Sequence, residues 1–406
     1  MTPPDDGLGL ALFEERYIQD PYPLYARMHR AGPVHRIADS GFYAVSGWDA
    51  VGEAIARRDV FSSNLTATMM SGPDGAVTAF PVGELGGPTQ ALATADAPAH
   101  PVHRRTLLPH LAATRVAACE PFITETAERL WRRGTRGDGI EWMSALAGAL
   151  PMMVVARIIG VPDDDVAALT RWGYAATQVV EGLVDAERMR EAVAAVLELA
   201  AYVTDRFREA AAAPRPDLLG DLATACAAGE LDDPVALAIM ITLFSAGGES
   251  TASLLGTAAW ILATRPDLQR QLRERPELLG AFIEETLRYE PPFRGHYRHV
   301  VADTELSGVP LRAGSRLFLL WGAANRDPAH FADPGEFRLD RPAAKNHLSF
   351  GRGPHFCVGA ALARLEARIV LGALLARTTS FRAADTGAWL PSLLVRRLRH
   401  LRLSVE

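Results

Sequence analysis

The segment of this 406-residue sequence with the clearest chemical potential surrounds one cysteine. Residues 350–359 read FGRGPHFCVG, and the apolar residues 358–378 are predicted to form a helix. Glycine permits tight turns and lets a flat group approach the backbone closely. Because a helix N-terminus carries partial positive charge, to which Arg352 adds, the thiol of Cys357 is predicted to have a low pKa. The alternative is a buried and inert cysteine in front of a helix.

A second candidate site lies inside an apolar helix predicted at residues 234–264, where residues 246–251 read AGGEST. Two glycines within a helix cost about 1 kcal/mol each relative to alanine. They indicate either a helix distortion that makes room for a ligand or a close contact between helices. Glu249, followed by the hydroxyls of Ser250 and Thr251, is suited to proton transfer in a dry site. The alternative is a buried glutamate that is paired with a cation.

The segment around Cys357 resembles the haem-binding loop of the cytochrome P450 family, which has the form Phe-x-x-Gly-x-x-x-Cys-x-Gly. All fixed positions match. The resemblance implies that the chain binds haem b (iron protoporphyrin IX), with Cys357 as the axial ligand of the iron. It also implies that Phe350, Gly359 and Ala246 lie beside the cofactor. In this family the thiolate donates electron density that favours cleavage of the O–O bond.

Residues 246–251 are similar to the oxygen-activation motif of the same family, Ala-Gly-x-Asp/Glu-Thr-Thr. The similarity implies that Glu249, Ser250 and Thr251 are catalytic residues that deliver protons. One position departs from the pattern, since Ser250 stands where the family has threonine. Serine keeps the hydroxyl but lacks the methyl group that restricts its rotamer. We therefore expect proton delivery that works but is less well ordered.

Glu285 and Arg288 lie three positions apart, so a helix predicted at residues 278–289 brings them to one face. Alone, such a pair is most often a surface ion pair of little energetic weight. Its surroundings resemble the Glu-x-x-Arg helix of cytochromes P450, in which an arginine from a later loop completes the set. Arg341 occupies that place. The resemblance implies that these three residues hold the core around the cysteine loop.

Four basic residues stand where the family binds the two carboxylates of haem. His100 and Arg104 are four positions apart and share a helix face, while Arg298 follows the Glu-x-x-Arg helix and His355 precedes Cys357 by two positions. Arginine binds carboxylates in a bidentate manner. Each residue taken singly is more often a solvated surface group. As a set, they are implied by the resemblance to be cofactor-binding residues.

The resemblance also assigns a substrate wall. Its members are residues 65–95, Leu243, Gly247, Phe293, Arg294, His296, Leu393 and Val395. Arg294 and His296 are polar in a segment that is often apolar. They either meet a polar or anionic group on the substrate or point away from the cavity, because burying an unpaired charge is costly.

The elements that must position these residues are mostly helices. Apolar periodicity predicts helices at residues 117–133, 185–213, 234–264, 266–274, 278–289 and 358–378, with strand-like runs at 34–45, 299–310, 316–320 and 392–405. Residues 65–95 show no sustained period and are predicted to be a long loop. The chain is therefore predicted to be mainly α with small β-sheets. The resemblance implies the cytochrome P450 fold, with an α-rich lobe and a smaller β-containing lobe, as one catalytic domain over residues 1–406 with no fused reductase.

Composition excludes several classes. A net charge of −6 argues against a nucleic-acid-binding protein. The three cysteines are far apart, so we expect a reducing cytoplasm, with Cys119 and Cys226 buried and inert. Residues 1–6 lack the pattern of a signal peptide. Residues 235–262 are long and apolar enough to span a membrane, but the charge of Glu249 favours a core helix, and we expect no membrane anchor.

The implied activity is that of a haem-thiolate monooxygenase. Such an enzyme inserts one oxygen atom from O₂ into a hydrophobic small molecule, with electrons from a separate ferredoxin and an NAD(P)H-dependent ferredoxin reductase. An acidic partner is expected to dock at basic groups near the cysteine loop, including Arg105, Arg352 and Arg364. Two alternatives remain open: a haem-binding ligand sensor without catalysis, and a haem-thiolate enzyme driven by peroxide. The acid–alcohol pair Glu249 and Ser250 argues against both.

Overall fold

The computed structural model of the chain describes residues 7–72, 75–82, 89–181, 183, 186–342 and 344–406. Residues 1–6, for which no signal peptide is predicted, lie outside the described residues. So do residues 73–74 and 83–88 of the predicted 65–95 loop.

Helices form most of the described chain. The first half contains α1 (Leu8–Ala11), α2 (Glu15–Gln19), α3 (Tyr22–Ala31), α4 (Trp48–Ala56), α5 (Ala99–Leu107), α6 (Ala113–Ala118), α7 (Glu120–Gly134) and α8 (Leu150–Ile159). The remainder contains α9 (Val166–Gln178), α10 (Ala186–Ala212), α11 (Leu218–Ala227), α12 (Asp233–Thr264), α13 (Pro266–Glu274), α14 (Leu279–Tyr289), α15 (Trp321–Ala324) and α16 (Ala360–Arg377).

Most predicted helix bounds agree with the structure to within two residues. The start of the predicted helix 117–133 is wrong, because two helices, α6 and α7, meet at Cys119, whereas residues 120–133 are helical as predicted. Pro121 lies in the first turn of α7. Proline has no backbone N–H, so it is tolerated at a helix start and disfavoured in a helix interior. Cys119 and Cys226 are half-buried rather than fully buried, and burial raises the pKa of both thiols.

The central helix, α12, carries the AGGEST segment. Among the described residues it is the one helix long and apolar enough to cross a membrane. It packs against α8, α9, α10 and α16, and its second half, residues 251–263, is buried except for Trp260. A helix that is apolar all round is suited to such a central position. The structure therefore supports the core-helix interpretation of this segment.

Small sheets complete the fold. The strands are β1 (Val34–Ile37), β2 (Phe42–Val45), β3 (Phe61–Ser62), β4 (Ala67–Ser71), β5 (Val77–Pro81), β6 (Thr135–Arg136), β7 (Gly139–Glu141), β8 (Gly295–Val300), β9 (Thr304–Leu306), β10 (Val309–Leu311), β11 (Arg316–Leu320), β12 (Phe381–Thr386) and β13 (Leu401–Val405). In the described chain they form a five-stranded sheet of order β1-β2-β11-β8-β3, a four-stranded sheet of order β12-β13-β7-β6, and the hairpins β9–β10 and β4–β5. Strands β2 and β11 are parallel, and the other pairs are antiparallel.

Two predictions about irregular and extended segments are wrong. The 65–95 segment contains the hairpin β4–β5, in which Ala67 pairs with Pro81 and Ser71 with Val77. Only one end of β4 is buried, so the apolar alternation that announces a strand is absent from the sequence. Of the predicted run 392–405, only Leu401–Val405 is a regular strand. The prediction of a mainly α fold with small β-sheets is confirmed.

Candidate active site

The cysteine loop is held open by two glycines in the left-handed region. Gly351 has φ 67° and Gly353 has φ 68°, a conformation that L-residues with a side chain rarely adopt. The turn brings the backbone N–H of Cys357 to the carbonyl oxygen of Phe350, at 2.8 Å. Helix α16 starts three residues later, at Ala360. The thiol is accessible because it opens into a large internal cavity.

The predicted low pKa of the Cys357 thiol is wrong when only the groups of the protein act on it. Burial raises the pKa of Cys357, and this effect outweighs the backbone N–H groups of Gly359 and Ala360 and the charges of Arg104 and Arg364, which lower it. The helix N-terminus and the cations therefore act in the predicted direction but are too weak. A coordinated metal ion removes the proton of a thiol outright, so a metal ion bound to Cys357 would complete the ionisation of the thiol.

The cavity above the thiol is lined mainly by apolar side chains. They come from the segment before α5, from α5, α8, α12 and α14, from the segment around β8, and from α15, the cysteine loop and α16. Among them are Leu92, Ala93, Leu107, Val155, Ile158, Ile159, Leu243, Ala246, Gly247, Leu254, Leu287, Phe293, Trp321, Phe350, Val358, Gly359 and Leu362. Such a lining is typical of a pocket for an apolar ligand.

Four basic residues gather at one part of this lining: His100, Arg104, Arg298 and His355. The rings of His100 and His355 stack with centroids 3.9 Å apart. A guanidinium nitrogen of Arg104 donates to the carbonyl of Phe356 at 2.8 Å. The Arg298 guanidinium makes one bond of the same length, to the carbonyl of Tyr297, and burial lowers its pKa to about 10. Both arginines therefore keep further donors for an anion.

His355 carries a sign of a missing partner. Its Nε2 lies 3.1 Å from the hydroxyl of Ser63, whereas its Nδ1 is buried and has no hydrogen-bond partner among the described residues. Burial, with the charges of Arg298 and Arg104 nearby, lowers the pKa of His355 to about 3. A buried polar atom without a partner is costly, and a ligand that supplies the bond explains its presence.

These features fit haem. An accessible thiol suits iron, the apolar walls suit a flat hydrocarbon ring, and a cluster of basic groups with spare donors suits its two carboxylates. The unpartnered Nδ1 of His355 lies in that cluster. The donor set expected from the sequence, His100, Arg104, Arg298, His355 and Cys357, is thus brought together around one cavity.

The proposed proton-delivery residues, Glu249, Ser250 and Thr251, lie on two different sides of α12. Ser250 and Thr251 line the cavity, and the Ser250 hydroxyl donates to the carbonyl of Ala246 at 2.6 Å. Glu249 is 3 % exposed and is outside the cavity lining. Burial raises its pKa, against the opposing charge of Arg397 and the nearby hydroxyl of Thr177. Glu249 is therefore both buried and paired.

The partner of Glu249 is a residue that the sequence did not suggest. Arg397 donates from Nε to Oε1 of Glu249 at 3.0 Å, and its guanidinium lies over the ring of Tyr174. The other oxygen, Oε2, makes no hydrogen bond in the described part of the chain. Arg397 lies in an irregular segment before β13, where no periodicity or motif links it to α12.

The two glycines of α12 serve close packing. A Cβ on Gly247 would lie 2.7 Å from Val155, and one on Gly248 would lie 2.6 Å from Met152, both on α8. The helix is unbroken through the pair. The helix-contact alternative therefore describes these residues, and the proposed helix distortion is absent. Gly247 also borders the cavity.

The Glu-x-x-Arg residues form a buried ion-pair network. Arg288 binds both oxygens of Glu285, at 2.8 and 2.7 Å, and Arg341 donates to Oε1 of Glu285 at 3.1 Å. The two guanidinium groups also bind backbone carbonyls of residues 325–336, including that of Glu336 at 2.9 Å. Glu285 and Arg288 are fully buried. The network ties α14 to the chain that leads into the cysteine loop.

Two further carboxylates near this loop were missed. Glu284 binds Arg364 through both oxygens, at 2.6 and 2.8 Å, which lowers the pKa of this buried carboxyl to about 2. Arg364, expected to face a partner protein, is thus largely engaged within the chain. Glu366 on α16 lines the cavity, is 1 % exposed, and has a pKa raised to about 8 by burial.

The predicted substrate wall divides into two groups. Leu243, Gly247, Phe293 and His296 line the cavity. Arg294 does not, because its guanidinium donates to the carbonyls of Ser392 and Tyr17, each at 3.0 Å.

Leu393 and Val395 are also outside the lining, in a buried cluster with the N-terminal helices. Their assignment to the wall is wrong because both side chains pack in that cluster, together with Leu394, and neither lines the cavity. Of the described residues in 65–95, Leu92 and Ala93 reach the cavity.

Comparisons with known proteins agree with this geometry. The family model described as Cytochrome P450 matches residues 185–382. Cytochrome P450 144 of Mycobacterium tuberculosis (strain CDC 1551 / Oshkosh) is 63% identical over 394 residues, which cover 97% of this chain and 91% of the relative.

Two solved structures are similar over almost the whole chain. CYP164A2 of Mycobacterium smegmatis, in the ligand-free state, has a TM-score of 0.87 and 28% identity, covering 98% of this chain and 100% of that one. CYP109E1 from Bacillus megaterium, in complex with testosterone, has a TM-score of 0.86 and 28% identity, covering 97% and 100%. The similarity thus extends well beyond the segment that the family model matches.

Proposed function

Because the chain belongs to the cytochrome P450 family, we propose that Cys357 is the iron ligand of a haem-thiolate monooxygenase acting on an apolar small molecule. Members of this family are haem-thiolate monooxygenases, and the chain is an enzyme of that class. The observation that carries the assignment of Cys357 is its position, since its thiol opens into the cavity that also receives four basic residues.

The proposed cofactor is haem b, held by Cys357 with His100, Arg104, Arg298 and His355 at its carboxylates. The spare donors of both arginines and the unpartnered Nδ1 of His355 support this assignment. Phe350, Gly359 and Ala246 line the same cavity. When bound, the cofactor supplies O₂ activation, and the thiolate favours O–O cleavage.

The proposed proton route runs from Glu249 through Ser250 and Thr251. A carboxyl whose pKa is raised by burial holds a proton closer to neutral pH, and its free Oε2 is available to transfer it. Ser250 and Thr251 directly follow Glu249 in the same helix and line the cavity. Because Glu249 is outside the lining, a hydroxyl or a water molecule must carry the proton across.

An apolar substrate is supported by the lining of the cavity. Leu243, Val155, Ile158 and Phe293 supply hydrocarbon surface, and Arg294 is turned away. Burying a charge without a partner is costly, so an anionic substrate gains nothing from these walls. The similar CYP109E1 was solved in complex with testosterone, an apolar molecule, which agrees with this proposal.

The proposed electron donors are a separate ferredoxin and its NAD(P)H-dependent reductase in the cytoplasm, with residues 1–406 acting as one catalytic domain. Beside the cysteine loop, Phe356 and Leu108 are exposed apolar residues, at 42% and 46% of their surfaces. Arg105 and Arg352 are exposed close to them in the chain. An apolar centre with basic neighbours suits an acidic partner protein.

The experiment that tests the proposed function measures oxygen incorporation. Haem-loaded enzyme, a surrogate ferredoxin, its reductase and NADH are incubated under ¹⁸O₂ with a compound selected by its spectral shift. One labelled oxygen atom per product molecule is expected. Turnover only with hydrogen peroxide would indicate the peroxide-driven alternative, and ligand binding without turnover would indicate a sensor.

A further inference from the structure

The cavity contains one imidazole that is not part of the basic cluster. His296 lies on β8, whose alternation places His296 and Arg298 in the cavity lining. Tyr297 between them packs against Phe42 and Phe318 on the other side of the strand. Phe293 meets the His296 ring edge to face at 5.4 Å. The orientation of this side chain is therefore set by the strand and by its neighbours.

The hydrogen-bonding role of His296 is fixed by a tryptophan. Nε1–H of Trp321 donates to Nδ1 of His296 at 2.7 Å. An indole N–H is only a donor, so Nδ1 must be the acceptor and Nε2 must carry the proton of the neutral ring. Burial, helped by the charge of Arg298, lowers the pKa of His296 to about 4. At neutral pH the ring is uncharged and has one remaining polar group, an Nε2–H donor.

Two of the three hydroxyls that α12 places in the cavity lining are already committed as donors, and the third, that of Thr251, belongs to the proposed proton route. Thr242 donates to the carbonyl of Ala238 at 2.7 Å, and Ser250 donates to that of Ala246 at 2.6 Å. Both residues line the cavity. A substrate carbonyl therefore finds no free donor in these two side chains, whereas His296 offers one in a fixed tautomer.

We propose that His296 is a specificity-determining residue that donates a hydrogen bond from Nε2–H to an uncharged oxygen acceptor of the substrate. The substrate class is then a mainly apolar molecule that carries a carbonyl or ether oxygen. The inference rests on the proposed function, because it takes the cavity to be the substrate site. A neutral imidazole among apolar groups favours an uncharged acceptor, since a carboxylate would be desolvated without a cation beside it.

The test compares two probes of similar shape, 4-phenylcyclohexanone and cyclohexylbenzene, which differ by one carbonyl oxygen. Their dissociation constants are measured by equilibrium dialysis against haem-loaded protein. The ketone is better hydrated than the hydrocarbon, so the two dissociation constants differ even without a hydrogen bond to the protein. We therefore compare the ratio of the two constants between the wild type and each variant, because the difference in hydration is the same for all of them. His296→Phe is expected to weaken the ketone relative to the hydrocarbon by about 3- to 10-fold, the effect of one neutral hydrogen bond.

Two variants complete the design. His296→Gln retains an N–H donor and is expected to keep most of the wild-type ratio. His299→Phe makes the same exchange at a residue of β8 outside the cavity lining and should leave the ratio unchanged. The haem content of each protein is determined in parallel, because a His296 donor bound to a cofactor carboxylate would affect retention of the haem.

Four outcomes are distinguishable. A ratio that changes in His296→Phe and is restored in His296→Gln supports the proposal. An unchanged ratio in His296→Phe overturns it, and haem loss with an unchanged ratio assigns the donor to the cofactor instead. Binding of neither probe to the wild type also contradicts it. Failure of the proposed function is a separate result, seen as an absence of thiolate-ligated haem in the wild-type protein.

Discussion

Nε of Arg397 lies 3.0 Å from Oε1 of Glu249, although 148 positions separate the two residues. The pair holds the carboxylate of Glu249 on the side of α12 that faces Tyr174 and Thr177, outside the cavity lining. The positive charge also limits how far burial raises the pKa of Glu249. Arg397 is therefore a positioning residue for the carboxylate that is proposed to deliver protons.

Replacement of Arg397 by glutamine should move the pH dependence of coupling. Without the positive charge, the pKa of Glu249 rises further, so its protonated form persists to higher pH. Product formed per NADH consumed should then decline at a higher pH than in the wild type. Arg399→Gln, an exposed arginine two positions later, is the matched control. A profile identical to that of the wild type would contradict the assigned role.

Ser250→Thr tests the departure from the family motif. The Ser250 hydroxyl binds the carbonyl of Ala246, and serine changes rotamer more freely than threonine. The added methyl group should order the hydroxyl and raise the ratio of product to NADH consumed, with little change in substrate affinity. Parallel assays of NADH and product provide the measurement. An equal ratio of product to NADH in the two proteins would show that serine at position 250 does not lower the coupling of NADH consumption to product formation.

Glu285→Gln should mainly lower the free energy of unfolding, because Glu285 belongs to the buried ion-pair network and does not line the cavity. The change leaves the buried guanidinium groups of Arg288 and Arg341 without their carboxylate. Loss of one partner of a buried ion pair costs about 3–5 kcal/mol of unfolding free energy. Urea unfolding of the purified protein gives this value, with the exposed Glu277→Gln as control.

If Glu285→Gln does not accumulate in folded form, Arg341→Lys serves in its place. It keeps the positive charge but loses the bonds that the guanidinium donates to the carbonyls of Ala332, Asp333 and Glu336. A midpoint as high as that of the Glu277 control in either variant would show that the network adds no stability.

Glu366 gives a prediction on stability and pH. Its folded pKa is raised from 4.5 to about 8 by burial, so between these values the folded state holds a proton that the unfolded state has lost. The free energy of unfolding must therefore fall as the pH rises from about 4.5 to about 8. Glu366→Gln, which is neutral at every pH, should reduce that slope.

Glu181 contributes a similar slope, because burial raises its pKa to about 8 as well. The slope should therefore be reduced by Glu366→Gln and not abolished. Glu125→Gln, on an exposed position of α7, is the matched control. Equal slopes for the wild type and Glu366→Gln, measured by urea unfolding across this pH range, would contradict the assignment.

The local features of the site were predictable because each depends on residues close together in the sequence. Three features are of this kind: the glycine turn before Cys357, the Glu-x-x-Arg spacing, and the pair His100 and Arg104 on α5. They could be placed by their family motifs, and the structure brings them to one cavity or one buried network. The apolar α12 was predictable because burial on all sides demands a uniformly apolar helix.

The features that were missed depend on contacts between distant segments. Arg397 reaches Glu249 from an irregular segment, and Arg294 is turned from the cavity by the carbonyls of Ser392 and Tyr17. The raised pKa of Cys357 depends on how the surrounding elements shield the thiol from bulk solvent, which no local motif reports. The hairpin β4–β5 pairs strands that are only partly buried and therefore lack a clear alternation.

Binding of the haem iron by the thiolate of Cys357 can be tested with a single absorption spectrum. The dithionite-reduced protein is exposed to carbon monoxide beside the Cys357→Ser variant. A strongly red-shifted Soret band is expected in the wild-type protein and should be absent in Cys357→Ser. A wild-type protein without haem, or with a band at the position of histidine- or thiol-ligated haem, would contradict the assignment of Cys357 as the thiolate ligand.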